Sequence, residues 1–295
     1  MITKSQVYEN LRNNGLEPEL IQSLVDLAIS EDLMGESDIT SLSTIPETQI
    51  SELDLVSRKS GVIAGIDVAS LVLLSIGQGK IEINQKVKDG QKIDAQTCIL
   101  TAKGPSIDLL TAERTALNFL SHLSGIATIT NKWVEEVADT KAKIRDTRKT
   151  TPGLRVLEKY AVRVGGGINH RMSLSDQALI KDNHIVAAGS ITKAIQKVTD
   201  KYPEKILEVE VDNLSQLNEV LELKVSLILL DNFSLIDLSE AVKVVNGKVK
   251  LEASGGITFE NAHKIAVTGV DYLAVGALTH SAPVLDIGGD LRTVS

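Results

Sequence analysis

Cationic side chains crowd one stretch of an otherwise acidic chain. From Arg145 to His184 there are eight Lys or Arg (145, 148, 149, 155, 159, 163, 171, 181) against four Asp or Glu (146, 158, 176, 182). That is net +4 inside a chain whose formal charge is −8. Clustered cations repel one another unless an anion or carboxylates offset them, so the reversal of charge implies an acidic ligand. The cations are interleaved with Thr150-Thr151-Pro152-Gly153, Gly165-Gly166-Gly167 and Asn169-His170. Such residues make tight turns and bring backbone N–H groups close to a ligand. A pocket for several anionic groups is the chemistry this predicts.

Negative groups follow further along. In Leu207-Glu208-Val209-Glu210-Val211-Asp212 the aliphatics point one way and the three acids the other. Core strands of a parallel barrel are ordinarily apolar on both faces, so acids there need cations, a metal or both. Asp231 closes the next apolar run, Leu227–Asp231. Carboxylates at adjacent strand ends suit Mg²⁺, which keeps several waters beside phosphates; ion pairing with the cations opposite is the alternative. Ser254-Gly255-Gly256 and Gly276-Ala277 end two later strands, and glycine turns leading into helices bind phosphate through backbone N–H groups. His170 is open to a ligand, base or buried structural role, and its place beside Arg171 in a glycine-rich turn favours substrate contact; His184, His263 and His280 stay unassigned, with helix or turn capping favoured. The sequence contains no Cys/His cluster of zinc type and neither a GxSxG nor a GxGxxG motif.

These groups need elements to hold them. Residues 3–34 predict two helices broken at Asn13-Asn14-Gly15. From 50 to 107 short apolar runs alternate with turn signals around one helical stretch, 68–76, which predicts an open α/β sandwich. A helix over 109–129 gathers Ala116, Phe119, Leu120 and Leu123 on one face and Arg114, Asn118, Ser121 and His122 on the other. That polar face is either simply solvated or brings Arg114 to a neighbouring site. After Lys143, strands at 144–147, 178–181, 206–211, 227–231, 249–254 and 272–275 alternate with helices at 154–163, 191–199, 214–223, 235–244 and 260–267. Alternation of this kind implies a parallel sheet with helical crossovers, and about six units make an incomplete barrel. The expected domains are 1–112, the sandwich, and 113–280, the barrel with its site at the strand carboxyl ends; the tail 281–295 packs back on the first.

Composition sets the outer limits. A chain of 295 residues, 43% hydrophobic but only 3% aromatic, fills a large core with Leu, Ile, Val and Ala. Net negative charge argues against nucleic-acid and membrane-surface binding. No apolar run approaches the length of a membrane span, and the first residues lack a signal peptide's apolar core, so a cytoplasmic protein is expected. The single cysteine, Cys98, excludes an internal disulfide and is expected as a buried core thiol.

The segments TRKTTPGLR (147–155), GGGINHR (165–171) and LIKDNHI (179–185) resemble the quinolinate phosphoribosyltransferase family. ERTALN (113–118), EVEVD (208–212), SGGI (254–257) and GALTHS (276–281) agree in order and spacing, so the likeness runs over nearly the whole chain. Two stretches depart from it: residues 35–40 carry extra residues in a Gly-Asp-Ile-Thr turn, and 285–290 is unusually glycine-rich. The resemblance implies an N-terminal α/β sandwich and an incomplete α/β barrel. It implies transfer of phosphoribose from phosphoribosyl pyrophosphate to quinolinate, giving nicotinate mononucleotide, pyrophosphate and CO₂ with Mg²⁺ in NAD biosynthesis. It further implies a homodimer or a hexamer of dimers in which Arg114 reaches the neighbouring subunit's substrate. Arg148, Lys149, His170, Arg171 and Lys181 would line the anion pocket. Glu210 and Asp231 would hold the ribose hydroxyls and Mg²⁺, directly or through water, and Ser254, Gly255, Gly256 and Gly276 the phosphate. Lys149, Lys181, Glu210 and Asp231 are the expected catalytic groups.

Overall fold

Helix caps and strand alternation explain most elements of the computed structural model, which describes residues 1–294. In chain order they begin with α1 (Lys4–Asn13), α2 (Pro18–Leu33), α3 (Ile39–Thr44), β1 (Ile50–Ser57), β2 (Gly61–Val62), α4 (Ile66–Gly77), β3 (Glu82–Gln85), β4 (Lys92–Ile93), β5 (Cys98–Pro105) and α5 (Ser106–Glu136). Then come β6 (Lys143–Arg145), α6 (Arg155–Val164), β7 (Ala178–Ile180), α7 (Asp182–Ala188), α8 (Ile191–Lys201), β8 (Leu207–Val211) and α9 (Leu214–Leu221). The last are β9 (Leu227–Asp231), α10 (Leu235–Val245), β10 (Lys250–Ser254), α11 (Phe259–Val267), β11 (Tyr272–Ala274), α12 (Ala277–His280) and β12 (Ile287–Thr293). Contacts divide the chain into two units, one of 1–129, 151–165 and 282–295 and the other of 130–150 and 166–281. The boundary expected at 112/113 falls inside α5, and α6 belongs to the first unit.

Within the first unit, α1 starts at a reciprocal cap between Thr3 and Gln6, and α3 at Asp38, which accepts from the N–H groups of Thr40 and Ser41. The sheet is antiparallel, ordered β12-β1-β5-β3. Its central strand β1 buries Leu53, Leu55 and Val56, and α4 lies almost wholly buried with Val68, Leu71, Val72 and Leu73. Cys98, expected in the core, is half-buried instead. It opens β5 opposite Val56, where the register shifts, and this irregular edge keeps the thiol from full enclosure.

The second unit carries six parallel strands in the order β6-β11-β10-β9-β8-β7. β9 is buried from Leu227 to Leu230, as a strand covered on both faces must be. Ser190, Asn213 and Ser234 start α8, α9 and α10 by accepting from the N–H groups of Lys193, Gln216 and Asp237. Trp133, near the end of α5, is buried and meets Phe259 of α11 edge to face at 5.6 Å. The first two strands of this sheet in chain order, β6 and β7, are its two edges, so the barrel is incomplete.

Candidate active site

Strand register decides which side chains face each other. Glu210, Leu229 and Glu252 lie side by side on one rung of β8, β9 and β10, and Asp231 stands opposite Ser254 on the next rung. Lys181 follows β7. These residues and the segments after the strands enclose a cavity of about 780 Å³. Its lining includes Arg148, Lys149, His170, Arg171, Lys181, Glu210, Asp231, Glu252, Ser254, Gly255, Gly256 and Gly276. Thr147, Asn232, Thr258 and His280 line it too.

Four cations therefore converge. Lys181 Nζ pairs with Glu210 Oε2 at 3.1 Å. Lys149 is fixed through its backbone, because its carbonyl accepts from the Thr279 hydroxyl at 2.7 Å. Arg148 is half-buried, and its shielded Nε has no hydrogen-bond acceptor. Burial, and then the neighbouring Arg148, hold the Arg171 guanidinium below its ordinary pKa. Two guanidiniums that destabilise one another, one with an orphan donor, suit a bound carboxylate or phosphate.

Beneath the cations lies a polar floor. Glu208 and Glu252 are both wholly buried. His170 Nε2 is 3.0 Å from Glu208 Oε2 and 3.5 Å from Glu252 Oε1. Arg145 Nη1 donates to Glu252 Oε2 at 2.6 Å, and its guanidinium stacks 5.1 Å from the Tyr272 ring centre. Burial raises Glu208 to about 7 against the pull of Arg145 and Arg171. Burial, with Glu208 adding repulsion, raises Glu252 to about 7 as well. His170, Glu208 and Glu252 each offer a ligand atom within 4.8 Å of the others, a spacing open to a small cation. Arg145 and the Gln177 amide already bring positive ends to those two carboxylates.

Local backbone holds the turns in place. Asp146, buried at the end of β6, accepts from the His170 N–H at 2.8 Å and from the Asn169 amide. The GGGINHR turn is thereby pinned to β6, reinforced by the bridge between Arg145 and Ile168. Gly255 has φ +84, and a Cβ there would collide with the Asn232 side chain. A Cβ at Gly276 would meet Lys149 Cδ at 3.0 Å and the His280 ring at 3.2 Å. Both glycines thus permit close approach. Only the first leads toward a full helix, since α12 is four residues long.

Most residues singled out from sequence line this cavity, with two qualifications. Arg114 is exposed on the first-unit part of α5 and is not among the lining residues. His170 lines the cavity, but its Nδ1 accepts from the Arg171 N–H at 2.7 Å and its Nε2 faces the two glutamates. Of the three acids on β8, Glu208 is buried, Glu210 half-buried and Asp212 exposed. His184 Nδ1 accepts from Lys181 N–H and His263 pairs with Asp139, whereas His280, unassigned from sequence, lines the cavity. Sequence reasoning missed Glu252. Its signal was available: an acid between Leu251 and Ala253 is the same anomaly in an apolar strand as Glu208.

The chain as a whole is similar to known proteins. The family model for the quinolinate phosphoribosyl transferase C-terminal domain matches residues 126–290, and that for the N-terminal domain matches 38–124. A nicotinate-nucleotide pyrophosphorylase [carboxylating] of Mycobacterium leprae (strain TN) is 52% identical over 268 residues, 90% of this chain and 94% of that protein. A mitochondrial quinolinate phosphoribosyltransferase [decarboxylating] of Nicotiana tabacum is 41% identical, over 92% of this chain and 82% of its own. The crystal structure of NadC from Streptococcus pyogenes superposes with a TM-score of 0.91 at 38% identity, covering 95% of this chain and 99% of that one. This chain belongs to the quinolinate phosphoribosyltransferase family.

Proposed function

We propose that the protein transfers phosphoribose from phosphoribosyl pyrophosphate to the ring nitrogen of quinolinate, with loss of CO₂, as a step of NAD biosynthesis. The observation that carries this is the convergence of Arg148, Lys149, Arg171 and Lys181 on one cavity, with an unpartnered Arg148 Nε among them. Quinolinate brings two carboxylates, and its co-substrate a phosphate and a pyrophosphate, so several cations have a use. Arg148 and Arg171 suit the aromatic acid, because bidentate guanidinium–carboxylate pairing fixes the orientation of a flat ring. Lys149 and Lys181, point charges on flexible stems, suit the more mobile phosphate oxygens.

As the bond to pyrophosphate breaks, positive charge grows on the ribose carbon while negative charge grows on the leaving group. Glu210 and Asp231 answer the first, and Lys149 and Lys181 the second, so the cavity favours the separated charges over the intact glycosidic bond. The quinolinate nitrogen takes the ribose carbon and becomes a pyridinium. The adjacent carboxylate then leaves as CO₂, its bonding electrons passing toward that nitrogen, and a proton replaces it. No protein nucleophile is required. The gly-rich turn at Ser254, Gly255 and Gly256, with Gly276, would receive the phosphate through backbone N–H groups. Glu210, paired with a displaceable Lys181, and Asp231, held by the Asn232 amide at 2.7 Å, form a hard oxygen donor set that fits Mg²⁺. When bound, directly or through water, that ion would neutralise pyrophosphate charge.

The purified protein should release pyrophosphate and CO₂ in equal amounts from quinolinate plus phosphoribosyl pyrophosphate, dependent on Mg²⁺, with nicotinate a poor substitute. Turnover of nicotinate without CO₂, or none with either acid, would overturn the reading. The same proposal makes the protein a cytoplasmic homodimer, or a hexamer of dimers, in which exposed Arg114 serves the neighbouring subunit's site. Mixing Arg114→Ala with Arg148→Ala subunits should then restore up to about a quarter of wild-type activity, because random pairing makes half the dimers mixed, each with one intact site. Heterodimers that form and stay inactive would remove Arg114 from the site.

A further inference from the structure

Glu208 does not line the cavity, yet two connections run from it to a residue that does. Its Oε2 lies 3.0 Å from His170 Nε2, and the same ring's Nδ1 accepts from the backbone N–H of Arg171 at 2.7 Å. That Oε2 also accepts from Gln177 Nε2 at 2.8 Å, and the backbone carbonyl of Gln177 accepts from Arg171 Nη1 at 3.1 Å. A single buried oxygen is thus tied to both the backbone and the guanidinium of Arg171.

The ring between them has a defined proton. A backbone N–H aimed at Nδ1 requires a lone pair there, so the imidazole hydrogen sits on Nε2 and points at Glu208. His170 is then a neutral spacer that transmits position, rather than another cation offered to the substrate. Gln177, buried at 7% exposure, is a second spacer of the same kind. Rigid support beneath a binding group matters because recognition degrades when the group can wander by even an ångström. Glu252 also faces the His170 ring, at 3.5 Å, but its shortest contact is with Arg145 at 2.6 Å.

We infer that Glu208 is a positioning residue which, through His170 and Gln177, holds Arg171 where a carboxylate of the aromatic acid docks. This deepens the proposed function and rests on it. What Glu208 supplies is an acceptor oxygen at a fixed point, so an amide should serve nearly as well as a carboxylate.

The test is a double-mutant cycle on quinolinate affinity, measured by calorimetry, alongside the KM for phosphoribosyl pyrophosphate. Glu208→Leu should weaken quinolinate about tenfold, while leaving the other substrate's KM within about twofold. Glu208→Gln, which keeps an acceptor, should bind within about threefold of wild type. In an Arg171→Ala background Glu208→Leu should cost no more than about twofold further. Additive losses, equal weakening of both substrates, or Glu208→Gln as poor as Glu208→Leu would each overturn the assignment. Should Glu208→Leu fail to fold, Gln177→Ala removes only the side-chain link between Glu208 and the backbone carbonyl that holds the guanidinium; about a threefold loss that vanishes with Arg171→Ala is expected, and additivity again overturns it. A wild-type protein that never turns over quinolinate would instead defeat the function itself.

Discussion

Acids shielded from water are finished in two ways, and Asp146 of the second unit, with both oxygens taken, belongs with those of the first. In the first unit Asp89 Oδ2 accepts from the Gly65 N–H at 2.7 Å and the Tyr160 hydroxyl at 2.6 Å, and its Oδ1 from the Ile66 N–H at 3.1 Å. Glu158 likewise commits both oxygens, one to His122 at 2.9 Å and one to the Thr151 N–H at 3.0 Å. In the second unit Glu208 and Glu252 each keep an Oε1 with no hydrogen-bond partner. A satisfied acid completes an element: Asp89 caps the first N–H groups of α4, and Glu158 holds the TTPG turn at Thr151. An acid with spare valence supplies counter-charge and anchorage for cations instead. The unsatisfied pair lies under the cavity, where a fold optimised only for stability would have placed apolar side chains.

The largest effects should fall on the cations above that floor. Arg148→Ala or Lys181→Ala should lower kcat/KM for quinolinate turnover by about 100-fold or more, since each removes charge-assisted contacts of about 1.5–3 kcal/mol and leaves a substrate anion desolvated. Thermal unfolding should barely move, because Lys181 is exposed and Arg148 Nε already lacks a partner. A cooperative transition displaced by ten degrees would show these cations holding the fold together, and the division between the two kinds of site would be lost.

Asp89→Asn probes the satisfied kind. One amide N–H must then face either the Ile66 N–H or the Gly65 N–H and Tyr160 hydroxyl, so a donor is set against a donor. The loss should be about 1–3 kcal/mol in denaturant unfolding, with turnover per folded molecule unchanged. Stability equal to wild type would mean that those three hydrogen bonds contribute nothing net.

How much of this contrast could be read from the chain depends on where the signal is local. The alternation of six strands with helices was legible because apolar runs of strand length recur between helical periods. The cation cluster was legible as a reversal of charge. Glu208 and Glu210 stood out from Leu207, Val209 and Val211, but which acid would be buried is set by the neighbouring strands and not by spacing. β12 was hidden by Gly288 and Gly289, which carry no side chains to show a strand's alternation. They serve a strand paired with β1, where a Cβ would meet the Arg58 side chain at 2.9 Å in one case and Glu113 at 2.9 Å in the other. α7 was likewise disguised by Asp182, Asn183 and His184, polar residues that open the helix through the His184 contact to the Lys181 N–H.

The smallest expected effect separates the two kinds of acid by pH. Both Asp89 and Glu252 have folded-state values above the ordinary carboxylate range, Asp89 at about 6 and Glu252 at about 7, chiefly through burial. A raised acid binds its proton more tightly in the folded than in the unfolded protein. Its contribution to stability is therefore full below the ordinary range near 4 and lost as pH climbs through the folded value. Wild-type stability should fall between pH 5 and 8 from the Glu208 and Glu252 pair, which titrates as a unit. Glu252→Gln cannot titrate, and its decline over that window should be shallower by about 1–2 kcal/mol. Asp89→Asn should flatten only the lower part, between pH 4 and 6. Comparing slopes avoids the separate cost of leaving Arg145 without its carboxylate, which shifts the Glu252→Gln curve bodily but does not tilt it. Parallel curves for wild type and Glu252→Gln from pH 5 to 8 would mean that Glu252 loses no proton over that window.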